Sequence, residues 1–284
     1  MALVTLNDVL KPAREEGYGV GAFDTCTFTL TEGIVQAAED TGKPVILMLS
    51  GFLFDRDDAQ SMLDFNLDRV KKSPVPIVYH LDHGSYDQCI NALHAGCSSV
   101  MYDGSKLSYE ENVENTKKIV EMAHTCGATV EAEIGHVAAP EGNPEGSVAD
   151  TSKFTRPEDA ERFAKETGVD ALAVAFGTVH GVYRGEPHLE LDLLREIRDR
   201  VDIPLVMHGG SGLSEQDFKN AIAAGICKVN FFTGMSLAAI GAMRTAINDS
   251  DGKIRYINLY DTELNAIKDC VKTQMDIFGT KSIF

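Results

Sequence analysis

Eight short apolar segments alternate along the chain with eight segments whose apolar residues recur at helical spacing. The apolar segments are near-continuous runs such as PVILML and ICKVNF, which is typical of strands buried on both faces of a parallel sheet. The predicted strands are 18–23, 44–49, 76–81, 98–102, 128–134, 170–176, 203–208 and 226–231. The predicted helices lie near 29–40, 57–72, 86–95, 109–125, 157–167, 190–200, 214–224 and 235–248. Eight successive strand–helix units predict an α/β fold, the (β/α)8 TIM barrel.

The length of the chain suits a single barrel of this kind. At 284 residues it is long for an ordinary domain but normal for an α/β barrel, so we predict that residues 1–284 form one domain. Residues 6–16 precede the first strand and are expected to form a helix that plugs the bottom of the barrel. Residues 261–277 are expected to form an extra helix, the segment best placed to reach a neighbouring subunit of a homo-oligomer, either a dimer or a tetramer.

The composition argues against several classes of protein. The net charge of −17 disfavours nucleic-acid binding, and it repels phosphorylated ligands at long range, so a phosphate site must be built locally from backbone amides and a few cations. No apolar stretch approaches the roughly 20 residues that cross a bilayer, and the N-terminus shows no export signal, so we expect no membrane partner. The six cysteines include no CxxC pair and are expected to be reduced thiols of a cytoplasmic protein.

Three histidines follow three of the apolar runs: His83 in HLDHG, His180 in GTVHGVY and His208 in PLVMHGGSG. The runs before them are the third, sixth and seventh predicted strands, and the carboxyl ends of parallel barrel strands meet at one face. A lone histidine is more often a hydrogen-bonding group of the interior, but three imidazoles at strand ends, each followed by glycine, favour a shared metal ion. Three protein nitrogens and one open position are the ligand set of a catalytic zinc ion.

The remaining five histidines are predicted to lie outside this ligand set. His80, three residues before His83, is expected to support the ligands through hydrogen bonds. The others are expected to be surface or packing residues: His94, His124, His136 and His188.

Two acidic residues also end predicted strands. Asp103 ends the fourth strand in VMYDGS, and Glu133 ends the fifth in VEAEIG. Three interpretations of these carboxylates are open: ligands of a second or alternative metal position, groups that orient His83, or acceptors for the backbone at the barrel mouth.

Acid–base chemistry has candidates at two places. Asp82 directly precedes His83, and a carboxylate there could exchange a proton with a sugar hydroxyl; the alternative is that it only supports the metal ligand. A second group is expected on the Gly- and Pro-rich loop 135–155, where Glu141 and Glu145 are both candidates because a loop carboxylate can close over bound substrate.

The loops after the seventh and eighth strands usually hold phosphate in a barrel, and here they read HGGSG (208–212) and KVNFFTGMS (228–236). Their glycines would let backbone amides approach an anion, and the helix that begins near residue 234 would direct its N-terminus at it. A tight turn is the other interpretation of GGSG, but its position beside a metal-ligand candidate favours phosphate. The predicted phosphate-binding residues are Gly181, Gly209, Gly210, Ser211, Asn230 and Thr233, with Arg184 or Lys228 adding positive charge.

The order and spacing of these motifs resemble the zinc-dependent class II aldolases of fructose- and tagatose-bisphosphate. The match covers about residues 5–248 and includes HLDHG, SVMYDGS, VEAEIG, TGVDALAVAFGTVHG, PLVMHGGSG and the KVN segment with its following threonine. The resemblance implies zinc on the three histidines and an alternative metal position at Asp103 and Glu133. It also implies that Asp82 acts on the C4 hydroxyl during cleavage and that Glu141 is the acid of the loop.

The same resemblance implies how the rest of the substrate is held. Gly181, Gly209, Ser211, Asn230 and Thr233 would bind the dihydroxyacetone phosphate end, and a Na⁺ or K⁺ ion near that phosphate is usual in the family.

The chain departs from the family pattern at the sites that would contact other parts of the substrate. Ser50, after the second strand, matches, but Asp24 replaces the first asparagine of the family's AFNxxN motif. The C-terminal DPR motif, whose arginine binds the distal phosphate, is missing, and Lys253 or Arg255 are the nearest substitutes. Recognition of the distal half of the substrate is therefore expected to be altered.

We predict an enzyme, a metal-dependent aldolase that reversibly cleaves a ketose (bis)phosphate to dihydroxyacetone phosphate and an aldehyde through a zinc-stabilised enediolate. The usual aldehyde of the family is glyceraldehyde 3-phosphate; an aldehyde with another distal group, for example a sulfonate, is the alternative. A zinc barrel sugar-phosphate epimerase or isomerase would use the same enediolate without cleaving a carbon–carbon bond. A partner subunit that has lost activity is the third hypothesis, and the intact histidines and Asp82 argue against it.

Overall fold

The computed structural model describes residues 2–54, 56–137, 147–181 and 183–283. The strands are β1 (Leu3–Val4), β2 (Val20–Asp24), β3 (Val45–Ser50), β4 (Ile77–Gly84), β5 (Ser99–Tyr102), β6 (Thr129–Ile134), β7 (Ala171–Val174), β8 (Leu205–Met207) and β9 (Ile226–Asn230). The helices are α1 (Leu6–Glu16), α2 (Phe28–Thr41), α3 (Ala59–Lys71), α4 (Tyr86–Ala95), α5 (Tyr109–Thr125), α6 (Pro157–Thr167), α7 (Leu191–Arg200), α8 (Glu215–Ala224), α9 (Thr233–Asp249) and α10 (Tyr256–Ile277).

Strands β2 to β9 form a closed barrel in which every neighbouring pair is parallel and β9 pairs back with β2. The predicted TIM barrel is confirmed, and each predicted barrel strand overlaps one observed strand. The sixth predicted strand, 170–176, ends at Val174 because the amide of Ala175 donates to Thr155 Oγ1 (2.8 Å) instead of to a neighbouring strand. The third, 76–81, extends to Gly84.

The helices between the strands begin where short polar side chains cap them. Ser85, Ser108 and Ser214 each accept a hydrogen bond from a first-turn amide, and a Gln, Glu or Asp three residues later bonds back to the cap. Several helices end at a glycine in the left-handed region, such as Gly42 and Gly168. These signals make each helix return the chain to the amino-terminal end of the next strand, so that all carboxyl ends lie at one mouth.

Helix α1 covers the amino-terminal end of the barrel, as predicted. Its buried residues Leu6, Val9, Leu10 and Ala13 belong to one apolar cluster with inward-facing residues of the barrel strands, among them Ile46. The other end of the barrel is therefore the open one, where polar side chains of the strands meet.

The C-terminal helix α10 begins five residues earlier than the predicted 261–277 and packs on α2 and α9 through Ile267, Val271 and Met275. A Cβ on Gly33 of α2 would lie 2.5 Å from Cγ2 of Ile267, so the close approach of these helices needs a glycine. The contact of α10 with a neighbouring subunit stays a prediction.

Within the described part of the chain, no helix combines the length and apolar character that a membrane span requires.

Candidate metal centre and active site

The imidazoles of His83, His180 and His208 converge at the carboxyl end of the barrel. Their ring centroids lie 4.6 to 5.7 Å apart, and the Nε2 atoms of His83 and His180 are separated by 3.3 Å. Each residue offers one nitrogen within 4.8 Å of the other two. The three predicted ligands are thus brought together from strands or loops that are far apart in sequence.

The backbone carries the three rings to the mouth in different ways. His208 directly follows β8, as the sequence indicates. His83 lies within a register shift of β4 and has φ 47°, a left-handed conformation that is uncommon for a residue other than glycine and clusters at functional sites. His180 does not directly follow its strand, because β7 ends at Val174 and the chain needs six further residues to return to the mouth.

Carboxylates set the orientation of two of the rings. Nδ1 of His83 lies 2.9 Å from Oδ2 of Asp103, and Nε2 of His208 lies 2.8 Å from Oε1 of Glu131. A ring nitrogen that donates to a carboxylate leaves the other nitrogen with its lone pair. Nε2 of His83 and Nδ1 of His208 are therefore the atoms that could bind a metal, and the amide of Asn230 donates to that Nδ1 (3.2 Å).

The spacing of the nitrogens fits a zinc ion. Two nitrogen ligands at about 2.0–2.1 Å from a tetrahedral zinc lie about 3.3 Å apart, and Nε2 of His83 and Nε2 of His180 have this separation, 3.3 Å. Asp103 and Glu133 form a second three-residue cluster with His83, again with ligand atoms within 4.8 Å. Burial raises the pKa of Glu133 to about 8, and the nearby Asp103 carboxylate adds to this rise.

Asp82 is fully buried beside the histidines, where its side chain accepts from the Asn230 amide at 3.2 and 3.3 Å. Burial alone would raise the pKa of Asp82, but electrostatic interactions with His83, His208 and Lys228 hold it well below its ordinary value. The carboxyl is therefore ionised at neutral pH and can accept a proton. Ser50 is its direct partner across β3 and β4.

A narrow cavity adjoins the histidines on the side of β8 and β9. Its lining consists of Asp24, His180, Gly181, Gly209, Gly210, Ser211, Asn230, Phe231, Phe232 and Thr233. Ser211 Oγ accepts from the amide of Gly234 in the first turn of α9 (3.1 Å), which ties the two glycine-containing loops together. A Cβ on Gly209 would lie 2.3 Å from the carbonyl oxygen of Val179, so this close packing requires glycine.

Comparisons with known proteins agree with this geometry. The family described as fructose-bisphosphate aldolase class-II matches residues 4–282. The chain belongs to the class II fructose-bisphosphate aldolase family. It is 36% identical to the fructose-bisphosphate aldolase of Staphylococcus aureus and to the probable fructose-bisphosphate aldolase of Bacillus subtilis, with 99% of both chains covered in each case. The crystal structure of the YdjI aldolase from Escherichia coli K12 is similar over 98% of each chain, with a TM-score of 0.85 and 31% identity.

The protein is thus an aldolase, a carbon–carbon lyase, and the remaining predicted residues can be placed in its barrel. Asp24 and Ser50 are both buried at the ends of the first two barrel strands, and Asp24 lines the narrow cavity. Arg184 is exposed on the loop after His180 and is absent from the lining of that cavity; its amide donates to Ser147 O (2.9 Å). Glu141 and Glu145 lie outside the described residues.

One prediction about a positively charged residue is corrected in this aldolase. Lys228 cannot add charge to the phosphate loops, because its side chain is fully buried inside the barrel and its Nζ lies 2.8 Å from Oε2 of Glu131. Lys253 and Arg255 lie on the exposed turn between α9 and α10, where they pair with Asp251 and Asn258, and their role as substitutes for the family's C-terminal arginine stays a prediction.

The histidines outside the ligand set divide into two groups. His80 is buried behind the site, with Nδ1 2.9 Å from Ser99 Oγ, and burial lowers its pKa to about 3, so the ring is neutral. His136 was predicted to be a surface or packing residue, but the half-buried ring lies at the mouth, with Nδ1 3.2 Å from Ser105 Oγ and 3.9 Å from Oε1 of Glu133. The others are exposed, as predicted: His94, His124 and His188.

Sequence reasoning missed Glu131, which contacts His208 and Lys228. A signal was available, since alternate residues of a strand share a face, and Glu131 and Glu133 are two residues apart on β6. Burial raises the pKa of Glu131, whereas the Lys228 ammonium and the hydrogen bond from His208 lower it. The lowering effects are larger, and the pKa of Glu131 is about 2. The carboxyl is therefore an anion inside the barrel.

Proposed function

We propose that this aldolase is zinc-dependent and reversibly cleaves a ketose phosphate or bisphosphate to dihydroxyacetone phosphate and an aldehyde. The single observation that carries the proposal is the 3.3 Å separation of Nε2 of His83 from Nε2 of His180, beside His208 and the ionised Asp82. His180 also lines the narrow cavity, so a metal on these histidines and an anion in the cavity would be neighbours.

The zinc would be held by His83, His180 and His208. When bound, it would polarise the carbonyl of the substrate and stabilise the negative charge that develops on its oxygen. Asp103 already contacts His83, and with Glu133 it supplies the alternative metal position that the family resemblance implies.

Proton transfer at the C4 hydroxyl is assigned to Asp82. Its carboxylate accepts the hydroxyl proton as the bond between C3 and C4 breaks, and it returns the proton when the reaction runs in reverse. The Asn230 amide holds both oxygens of this carboxylate in place. The proton for C3 is assigned to the loop acid, Glu141 by resemblance.

The phosphate of the dihydroxyacetone phosphate end is assigned to the narrow cavity. The amides of Gly209, Gly210 and Ser211 and the N-terminus of α9 would provide donors and a favourable dipole. Gly181, Asn230 and Thr233 line the same cavity. The buried carboxylate of Asp24 adds negative charge there, which a Na⁺ or K⁺ ion near the phosphate would offset.

A second cavity favours an aldehyde with an anionic distal group. It has a volume of about 510 Å³, begins beside His136, and includes Lys106, Lys153 and Arg156 in its lining. Ser105, in the same lining, donates to Asp103 (2.7 Å), so the cavity lies next to the alternative metal cluster. Three cationic side chains around one cavity stand out in a chain of net charge −17. Glyceraldehyde 3-phosphate and a sulfonated aldehyde both have the required chemistry.

The exposed face of α9 supports the proposal of a homo-oligomer. Leu237, Ile240 and Ile247 are 58%, 50% and 40% exposed, and no charged residue occurs between Thr233 and Met243. Contiguous exposed apolar residues often mark an interface. Light scattering on the eluted protein would give the mass of the assembly. We further propose that this oligomer acts in the cytoplasm.

The experiment that tests the function is a substrate panel. Ketose 1-phosphates, ketose 1,6-bisphosphates and a sulfonated ketose 1-phosphate are offered to the zinc-loaded protein, and release of dihydroxyacetone phosphate is followed with a coupled dehydrogenase. Release from at least one ketose, lost in His208→Ala, is the expected result. Epimerised or isomerised sugar with no release of dihydroxyacetone phosphate would contradict the proposal.

A further inference from the structure

A group of fully buried charged and polar side chains lies beneath the three histidines. Glu131 on β6 accepts from Nε2 of His208 through Oε1 (2.8 Å) and pairs with Nζ of Lys228 on β9 through Oε2 (2.8 Å). Nε2 of His80 lies 3.6 Å from the same Oε2. None of these four side chains is exposed to solvent. Glu131 contacts both His208, a metal-ligand candidate, and Lys228.

Stability alone does not account for such a pair. Removing two charges from water costs several kcal/mol per ion, and apolar residues of similar volume are often at least as stabilising as a buried ion pair. The rest of the barrel interior offers such a solution, since Ile46, Val78 and Val206 form an apolar layer on α1. A buried ion pair at the level of the histidines therefore needs another explanation.

The contact between Glu131 and His208 provides one. An imidazole has two nitrogens, and only the one without a proton can bind a metal ion. The carboxylate of Glu131 holds the proton on Nε2 and leaves the lone pair on Nδ1, the atom that accepts from Asn230 beside Asp82. A rotated or differently protonated ring would direct an N–H group towards the other two histidines.

Lys228 has a complementary role. It is the cation nearest to the Glu131 carboxylate, and without it that carboxylate would be an uncompensated charge in the barrel interior, which is strongly unfavourable. The lysine, on β9, contacts Oε2 of the carboxylate, whereas His208 contacts Oε1.

We propose that Glu131 is a positioning residue that fixes the ring of His208 with Nδ1 towards the metal position, and that Lys228 is the counter-ion that keeps Glu131 in place. This inference rests on the zinc site of the proposed function. It assigns no contact between Glu131 and the substrate.

The decisive variant is the double substitution Glu131→Leu/Lys228→Met. It removes one negative and one positive charge, so the net charge of the group is unchanged, and it leaves neither member of the Glu131–Lys228 pair buried without its partner. We expect it to fold and to unfold near the temperature of the parent. Zinc affinity, measured by competition with a chromophoric chelator, is expected to fall by roughly 10- to 100-fold, as is typical when a partner of a metal-bound histidine is lost.

The single variant Glu131→Leu is expected to lose both stability and zinc affinity, because it also leaves the Lys228 charge buried without a partner. The control is Glu39→Gln, which removes a bidentate ion pair with Arg69 at 2.8 and 2.9 Å far from the histidines. It should leave zinc affinity unchanged. If the double variant binds zinc as tightly as the parent, Glu131 and Lys228 form only a structural pair and the proposal is overturned.

A second measurement reports the ring directly. Nitrogen NMR of the metal-free protein, labelled at histidine, is expected to show His208 with its proton on Nε2 in the parent and a mixture of tautomers in the double variant. An unchanged tautomer in the double variant would overturn the proposal. A parent protein that neither binds zinc nor is activated by it would instead refute the zinc site, and the tautomer measurement would still test the role of Glu131.

Discussion

Nε2 of His83 lies 3.3 Å from Nε2 of His180, although the two residues are 97 positions apart in the chain. The left-handed backbone of His83 is uncommon for a residue other than glycine, and such conformations cluster at functional sites. The barrel therefore brings two ring nitrogens from distant parts of the chain to the separation expected of two ligands of one metal ion.

Replacing His180 with Ala is expected to remove bound zinc and nearly all aldolase activity. The loss of a direct ligand should weaken zinc binding by more than the roughly 10- to 100-fold typical of a supporting residue. Metal analysis after dialysis and the dihydroxyacetone phosphate assay measure the two effects. His188→Ala is the matched control, because that side chain is 86% exposed. Full activity in the His180 variant would exclude this histidine from the metal site.

Asp82→Ala is expected to keep zinc but to lose roughly 10²- to 10⁴-fold in kcat, the usual contribution of a general acid–base group. The variant removes the proton acceptor, whereas the nitrogen ligands remain. Zinc content and turnover must be measured on the same preparation. A variant that loses zinc in parallel with activity would show that Asp82 acts through the metal ligands instead.

The contribution of Glu133 to the stability of the metal-free protein is expected to fall as pH rises from about 4.5 to about 8, because burial raises the pKa of this carboxyl to about 8 from its ordinary 4.5. A group whose pKa is higher in the folded state contributes stability that is complete below the lower value and lost through the higher one. Thermal unfolding in the presence of a chelator measures this dependence. Glu133→Gln stays neutral throughout, so its unfolding temperature should rise relative to that of the parent over the same range; a constant difference between the two proteins would contradict the prediction.

The double variant Lys106→Ala/Lys153→Ala is expected to raise KM for an anionic aldehyde in the condensation direction. Each lost charge contributes about 1 kcal/mol near the surface, which corresponds to roughly fivefold in KM. KM for unphosphorylated glyceraldehyde should not change. Lys219→Ala, an exposed lysine paired with Glu215 on α8, serves as the control. Equal effects on charged and neutral aldehydes would argue against a distal anion site in this cavity.

Asp24→Asn is expected to strengthen the binding of dihydroxyacetone phosphate by roughly fivefold, because it removes a like charge from the cavity assigned to phosphate. Inhibition of cleavage by added dihydroxyacetone phosphate provides the measurement. Dependence on Na⁺ or K⁺ should weaken in the same variant. Weaker binding in the asparagine variant would mean that Asp24 contacts a donor group of the ligand.

Much of the barrel could be predicted from local patterns. Strands buried on both faces and helices with serine caps can be recognised in short windows, so their order was correct and only their ends shifted, as at Val174. The convergence of the three histidines could be predicted as well, because parallel strands share one mouth. The family resemblance came from the same motifs and is confirmed by the match over residues 4–282.

The chain pattern could not identify partners across the barrel. Lys228 was a candidate for the phosphate loops, but the structure shows its ammonium against Glu131, 97 positions earlier. His136 is predicted only as a surface or packing residue, and the structure adds that its half-buried ring approaches Glu133. A strand pattern tells which side chains point inward, whereas strand register and tilt determine which of them lie at the same level and meet.

The sequence by itself therefore determined the fold, the mouth of the barrel and the residue types that gather there, because these follow from periodicity and strand direction. Only the tertiary structure decided which nitrogen of His208 points towards the site, which carboxylate holds it, and which lysine balances that carboxylate. Those choices depend on distances of a few ångströms between groups from different strands, and the closure of the barrel sets these distances.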